Sequence, residues 1–186
     1  MSPAWTHPVE LDDLTAAPVH PDLARVMRQY SQISEGRAMP HRAHFRPSKL
    51  RWMMGRLYLV DVLEGGADYR FRLFGIFWQT VYSADLTGLR LSQIEPFCHL
   101  ASLRGDYDGI VAQGIPALHL RRVRWPNDGS LEFQRLLLPF CDDGGQVSLI
   151  LGAAACDKVP EEVVYFKGEG VPELLPGEPI RSGKPH

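Results

Sequence analysis

Residues 69–94 constrain the fold more than any other part of the sequence, because they predict a strand, a glycine break and a helix in quick succession. Alternation places Tyr69, Phe71 and Leu73 on one face of the strand, with arginines between them on the other face. Gly75 ends the strand, and four apolar residues after it recur at helical spacing. These four are Phe77, Trp78, Val81 and Tyr82. The segment therefore directs aromatic rings toward whatever covers the strand, either as the frame of a pocket or as a filled core.

The remaining pattern predicts four more strands with a long helix between them. An apolar run at residues 56–63 precedes the strand from residue 69, and the glycine-containing loop between them is typical of a hairpin. Both faces of this first run are apolar, as in a strand that is covered on both sides. Periodicity predicts a helix at 97–113, followed by strands at 117–125, 131–139 and 146–155 with strong turn signals between them. The predicted fold class is α+β: a five-stranded antiparallel sheet with short helices clustered on one face.

An amphipathic helix is predicted near the N-terminus. Pro21 suits its first turn and Gly36 suits its end. The apolar face of this helix must cover either the sheet of its own domain or the same helix of a second subunit. We expect a homodimer through this helix, and the residues of the candidate dimer or partner surface are Leu23, Val26, Met27 and Tyr30.

Length and composition fit one globular domain between two extensions. With 186 residues, 45% of them hydrophobic, the chain can bury a single core. We expect a proline-rich arm at 1–19, the domain with its N-terminal helix at 20–155, and a partly mobile C-terminal extension at 156–186. The net charge of −2 gives no general attraction to nucleic acid or to anionic membranes. With no secretory signal, no membrane-spanning apolar run and only three scattered cysteines, the expected location is the cytoplasm.

Four short motifs, in their order and spacing, resemble the PAS superfamily of sensory and interaction domains. They are residues 69–75 (Tyr-Arg-Phe-Arg-Leu-Phe-Gly), residues 85–88 (Asp-Leu-Thr-Gly), residues 39–42 with Arg46 and Pro47, and residues 135–139 with Asp143 and Gly144. More narrowly, the chain resembles the short proteobacterial proteins that consist of one PAS-like domain. The resemblance implies a sheet in the order 2-1-5-4-3 that cups a ligand or a plain apolar core beneath the short helices. The candidate pocket residues are then Phe71, Leu73, Phe77, Trp78, Tyr82, Tyr107 and Arg135.

The sequence predicts no metal, haem or flavin, although an unknown small ligand stays open. Flavin photosensors of the PAS superfamily carry a reactive cysteine in an asparagine-containing motif, which is missing around Cys98. Haem-binding members need an axial histidine on the covering helix, for which His99 is a lone candidate. His41 and His44 stand three residues apart, but the nearby prolines disfavour the helix that would bring both onto one metal ion.

Arg135 is the charged residue whose surroundings matter most for function. It shares a predicted strand face with Leu131, Phe133 and Leu137, so it needs a partner if that face points inward. The partner could be a carboxylate ligand or a core acid such as Asp61. The other strand arginines could bind a phosphate or carboxylate, because guanidinium groups match these anions, but they are interpreted as exposed side chains of the sheet edges. They are Arg70, Arg72, Arg121, Arg122 and Arg124.

No motif for a catalytic nucleophile, a zinc protease or a nucleotide-binding loop is present. The sequence therefore predicts a non-catalytic sensory or protein-interaction domain of bacterial signal transduction, which binds a small ligand or a signalling protein but no nucleic acid or membrane. Two alternatives stay open. Asp61 could serve as the base of a small cone-shaped α+β isomerase, or the chain could be a structural adaptor with a filled core and no ligand.

Overall fold

A computed structural model describes residues 19–82, 85–94, 101–124, 130–156 and 180–181. The α-helices in this part of the chain are α1 (Pro21–Ser34), α2 (Ile76–Tyr82), α3 (Leu91–Ile94) and α4 (Ala101–Gln113). The strands are β1 (Leu57–Leu63), β2 (Asp68–Phe74), β3 (Ala117–Arg124), β4 (Ser130–Cys141), β5 (Val147–Ala155) and β6 (Ile180–Arg181). A 3-10 segment, Pro47–Arg56, leads into β1. None of the described helices is long and apolar enough to cross a membrane.

The sheet has the strand order that the sequence predicted. Five strands pair antiparallel in the order β2-β1-β5-β4-β3, and the two-residue strand β6 adds a short parallel pairing to β3 at the edge. All nine residues of β5, the middle strand of the five, are buried. The prediction of an α+β fold with a five-stranded antiparallel sheet is therefore confirmed.

Each face of the sheet is covered by its own hydrophobic core. The inner core lies beneath α2, α3 and α4 and is dominated by aromatic side chains. The outer core lies beneath α1 and the 3-10 segment and is dominated by leucines. Alternation along the strands explains the division, since successive residues of one strand point to opposite faces. The two apolar faces of β1 thus have the two coverings that the sequence predicted.

Helix α1 packs its apolar face against its own sheet, which corrects the predicted partner surface. Leu23, Val26 and Tyr30 are buried in the outer core, and Met27 packs partly buried against it. The Tyr30 hydroxyl donates a hydrogen bond to the carbonyl of Pro139 in β4, at 2.8 Å. Because Leu23, Val26 and Tyr30 are buried within one subunit, they cannot form the surface of a dimer, and only Met27 keeps part of its side chain exposed.

A β-bulge in β2 overturns the predicted position of Leu73. Val60 pairs with Phe71 and Leu59 pairs with Leu73, so Arg72 is an extra residue in the strand. The extra residue reverses the alternation. Phe71 therefore lies in the inner core, whereas Leu73 packs against the outer core and does not line the predicted pocket.

The turn at residues 85–88 is confirmed, and it is fastened to the edge of the sheet. The Asp85 side chain accepts a hydrogen bond from the backbone N–H of Thr87 at 2.9 Å, and Gly88 adopts a positive φ of 87°. The N–H of Gly88 donates to the carbonyl of Phe71, which holds the turn against β2. Residues 85–88 are in this way fixed beside the inner core.

Gly152 of β5 lies directly beneath the ring of Tyr58, its partner on β1. A Cβ atom built on Gly152 would stand 2.0 Å from the Tyr58 ring, far inside van der Waals contact. The ring therefore rests on the sheet at a position where a side chain is missing. Glycine is required here by the close approach and not by its backbone angles.

The variant Gly152→Ala is expected to lower the free energy of unfolding by at least about 2 kcal/mol, because the Tyr58 ring must move into a packed core. Denaturant unfolding followed by circular dichroism measures this change. The matched control is Gly105→Ala in α4, where an added Cβ meets nothing within 4 Å. That variant should raise stability by about 0.5–1 kcal/mol. A Gly152→Ala protein as stable as the parent would contradict the inferred contact.

Candidate functional site

The structure gathers four of the predicted pocket residues into the inner core. Phe71 comes from β2, Phe77 and Trp78 from α2, and Tyr107 from α4, and all four side chains are buried. Tyr58, which the sequence analysis did not single out, stands at their centre. The side chain of Tyr82 lies outside the part of the chain that the structure describes.

Ring contacts join these side chains to one another. Tyr58 meets Trp78 edge-on with 4.8 Å between ring centroids, and its ring lies 6.5 Å from that of Tyr107. Trp78 also meets Phe133 of β4 at 5.6 Å, and its indole N–H donates to the carbonyl of Arg56 at 2.9 Å. The residues predicted to line a pocket thus pack mainly on each other, as in the filled-core alternative.

A cluster of ionisable side chains lies at the edge of this aromatic core, between α4 and the sheet. We call it the inner polar cluster, and its members are Asp106, His119, Arg121 and Arg135. Asp106 Oδ2 accepts a hydrogen bond from Arg121 at 2.7 Å and a second hydrogen bond from Arg135. His119 and Arg135 are directly opposed on β3 and β4. Since the exposed fraction is 2% for His119 and 4% for Arg135, the cluster is shielded from water.

The polar contacts of the cluster define the tautomer of His119. Arg135 lies 3.3 Å from Nδ1 of His119, and a guanidinium group can only donate hydrogen bonds. Nδ1 must therefore accept, so Nε2 carries the proton and faces Asp106 Oδ1 at 3.7 Å. The imidazole is neutral in this arrangement.

Burial and charge act together on the pKa values of the cluster. Burial, reinforced by the positive charge of Arg135, lowers the pKa of His119 from 6.5 to about 3. Burial alone would raise the pKa of Asp106, but Arg135, His119 and Arg121 outweigh it and hold this pKa below its usual value. The cluster thus keeps an ionised carboxylate, two guanidinium groups and a neutral imidazole beneath α4.

Asp106 is the functional candidate that the sequence analysis missed. It lies three residues after Leu103 and four before Ile110, both of which are buried, so it belongs to the buried stripe of α4. This helical spacing in the sequence could have indicated that Asp106 faces the core. The prediction that Arg135 needs a buried partner was right, but the acid is Asp106 and not Asp61.

Asp61 lies on the outer side of the sheet, within a separate group of arginines. Its carboxylate accepts hydrogen bonds from Arg70 at 3.0 Å and from Arg72 at 2.5 Å, and Arg42 lies at 3.6 Å. Three guanidinium groups lie around one carboxylate, and their hydrogen bonds and ion pairs occupy its oxygens. Asp61 therefore does not stand in a pocket beneath the helices, as the isomerase alternative required.

The histidines and cysteines considered for cofactors do not converge on one site. The ring centroids of His41 and His44 are 5.9 Å apart, and Nε2 of His41 lies 3.1 Å from Oδ1 of Asp143. Within the described ranges, no three histidine, cysteine or acidic side chains are close enough together to hold a metal ion. Cys98 and His99 lie outside the described residues.

Comparison with known proteins identifies a family for most of the chain. The sequence model of the PAS domain family matches residues 19–155. No curated protein sequence matches. Among solved structures, the chain is similar to an RNA-binding Light-Oxygen-Voltage receptor, at 15% identity and a TM-score of 0.39, over 63% of this chain but only 35% of that one. It is also similar to the PAS domain of Bordetella pertussis BvgS, at 12% identity and a TM-score of 0.36, over 75% of this chain and 91% of that one.

The buried neutral His119 predicts a loss of stability in mild acid. The unfolded chain takes up a proton at this histidine as the pH falls below 6.5, whereas the folded chain does not until about pH 3. The free energy of unfolding is therefore highest above pH 6.5 and falls below it, by up to about 1.4 kcal/mol per pH unit. Denaturant unfolding between about pH 5 and pH 7 measures the slope.

The variant His119→Gln should flatten this slope, because it removes the group that titrates. Replacing the exposed His44 by glutamine is the matched control and should leave the slope of the parent protein unchanged. Equal slopes in the parent and in His119→Gln would show that His119 does not carry the pH dependence.

Proposed function

Since the chain belongs to the PAS domain family, we propose that it is a non-catalytic sensory or interaction domain that signals by changing how α4 packs on the sheet. One observation carries this proposal: the carboxylate of Asp106 on α4 is held by two arginines of β3 and β4. This ionic link joins a covering helix to the sheet. A molecule that competes with Asp106 for these two arginines shifts the equilibrium between two packings of α4.

The chemistry of the inner polar cluster favours a small anion as that competitor. Arg121 and Arg135 both bind Asp106 Oδ2, and guanidinium groups match carboxylates and phosphates in geometry. A ligand carboxylate that replaced Asp106 between them would release α4 from β3 and β4. The ligand shifts the equilibrium only by the difference in its affinity for the two packings.

A second candidate, a structural adaptor without a ligand, is favoured by the aromatic packing of the inner core. Phe71, Phe77, Trp78 and Tyr107 are buried against each other and against Tyr58. An adaptor would keep one packing of α4 and respond to no small molecule. The two candidates therefore differ in whether the inner polar cluster exchanges Asp106 for another anion.

The partners of the protein stay predictions. A homodimer and a signalling protein partner both fit a PAS domain, and a dimer that involves α1 must use the side chains that point away from the sheet. The cytoplasmic location is likewise a prediction. No nucleic acid or membrane is part of the proposal.

Small carboxylates and inorganic phosphate are expected to raise the melting temperature of the full chain at constant ionic strength. A ligand at ten times its dissociation constant stabilises the bound state by about 1.4 kcal/mol, which corresponds to roughly 3 °C for a chain of this size. Thermal unfolding with acetate, succinate, citrate and phosphate measures the shift, with the corresponding amides as neutral comparisons. Native mass spectrometry of protein purified from its host then reports the bound mass and the subunit count.

Two arginine variants test whether the inner polar cluster is the binding site. Arg121→Gln should abolish the thermal shift, and Arg121→Lys should weaken it because a lysine keeps the charge but loses the guanidinium fork. Arg70→Gln is the matched control, since Arg70 pairs with Asp61 on the other side of the sheet. If no anion shifts the melting temperature and no bound mass is found, the ligand proposal fails and the adaptor is supported.

A further inference from the structure

A groove on the outer face of the sheet is not used by the function proposed above. It has a volume of about 250 Å³ and lies between α1 and residues 44–50. Leu138, Phe140 and Leu151 form its floor, while Ile33 and Phe45 form parts of its walls. We call it the outer groove. Its lining is mainly apolar, although it opens to the surface.

The segments that form the outer groove are richer in basic residues than the chain as a whole. Residues 23–60, which include most of α1 and the 3-10 segment, hold eight of the 20 lysines and arginines but only one of the 22 acidic residues. Arg56 and Arg42 pair with Asp22 and Asp61, just outside this range. The other six basic residues leave these segments with a net positive charge, which favours an acidic partner.

Two exposed cationic side chains place part of this positive charge on the groove itself. Arg46 and Lys49 both contribute to its lining. The guanidinium group of Arg46 is held in place by hydrogen bonds to the carbonyls of Ala43 and Phe45. The charge of Arg46 is thus fixed at the rim.

We propose that the outer groove is a docking site for an acidic amphipathic segment of a partner protein. One apolar side chain of the segment sits on Leu138, Phe140 and Leu151. Its flanking carboxylates pair with Lys49 and Arg46. This combination of an apolar anchor and charged neighbours is a common mode of peptide recognition.

The shape of the groove favours a peptide over nucleic acid or a larger metabolite. A nucleic acid would use the basic rim but would leave the apolar floor unfilled, since its affinity rests on its phosphates. The volume is below the 300–1,000 Å³ that is typical of pockets for drug-sized ligands. One bulky apolar side chain fits a space of this size.

The proposal goes beyond the function argued for the inner polar cluster, because it concerns the opposite face of the sheet. Failure of anion binding at Arg121 would leave the outer groove unaffected. Failure of peptide binding would equally leave the inner polar cluster unaffected.

Fluorescence polarisation with the full chain tests the docking site. The probe is a labelled peptide of about 12 residues with one central phenylalanine flanked by leucine, aspartate and glutamate. We expect a dissociation constant of roughly 1–100 μM that rises at least tenfold when the acids become amides or when the phenylalanine becomes serine. An RNA oligonucleotide of the same length is measured beside it. No binding of the peptide, or tighter binding of the RNA, would overturn the proposal.

Variants of the chain locate the site and distinguish other occupants. Lys49→Glu and Ile33→Ser should each weaken binding at least tenfold, whereas the matched charge reversal Arg90→Glu, at an exposed position beside β2, should not. Circular dichroism confirms that each variant is folded. An equal loss of peptide binding in Arg90→Glu would indicate that the peptide is attracted by positive charge in general and not by the outer groove. If the probe binds only after Glu10, Asp12 and Asp13 are changed to amides, the groove is assigned to the acidic segment of the chain itself. That result would equally overturn the proposal of a partner protein.

Discussion

The contact between the Tyr58 ring and the backbone of Gly152, which has no side chain, determines how the inner face of the sheet is covered. The missing side chain lets the ring lie low on the sheet, where Trp78 of α2 meets it edge-on at 4.8 Å. Tyr107 of α4 packs against the same ring. Because Asp106 precedes Tyr107 in α4, the position of Tyr58 also fixes where the carboxylate meets Arg121 and Arg135. One small residue in the middle strand thus sets the position of two helices and of the inner polar cluster.

Asp61 on β1 and Asp106 on α4 are both stabilised by arginines, but with different consequences for the structure. Asp61 and Asp106 are each surrounded by arginines, since an isolated carboxylate could not be buried. Buried ion pairs contribute little net stability, but removing one partner costs about 3–5 kcal/mol. Asp61 mainly joins β1 to β2, which are already paired through their backbones. Asp106 joins a helix to the sheet, so only this second pairing can change without breaking the sheet.

The sequence predicted what depends on local patterns and missed what depends on single positions. Alternation and turn residues placed the five strands, and helical spacing placed α1 and the buried Phe77 and Trp78 of α2. The bulge at Arg72 gave no such signal, because one extra residue in a run of alternating residues is decided by pairing with β1. Strand β4 was expected to end at Pro139, but it continues to Cys141. Pro139 is tolerated because β3 begins at Ala117, opposite Leu137, so no β3 residue pairs with Pro139. The apolar stripe of α1 was recognised, but whether its own sheet or a second subunit covers it depends on tertiary structure.

The inner and outer faces are separated by a single layer of backbone, so events on one face bear on the other. Gly152 supports the inner core, and its neighbour Leu151 forms part of the floor of the outer groove. Leu151 pairs with Leu138, whose neighbour Leu137 belongs to the inner core. The Tyr58 ring is in direct contact with β5, so this contact is the physical route by which a change of α4 packing would reach the outer face. Coupling of this kind is reciprocal, so an anion that alters the affinity of the outer groove must have its own affinity altered equally by the docked segment.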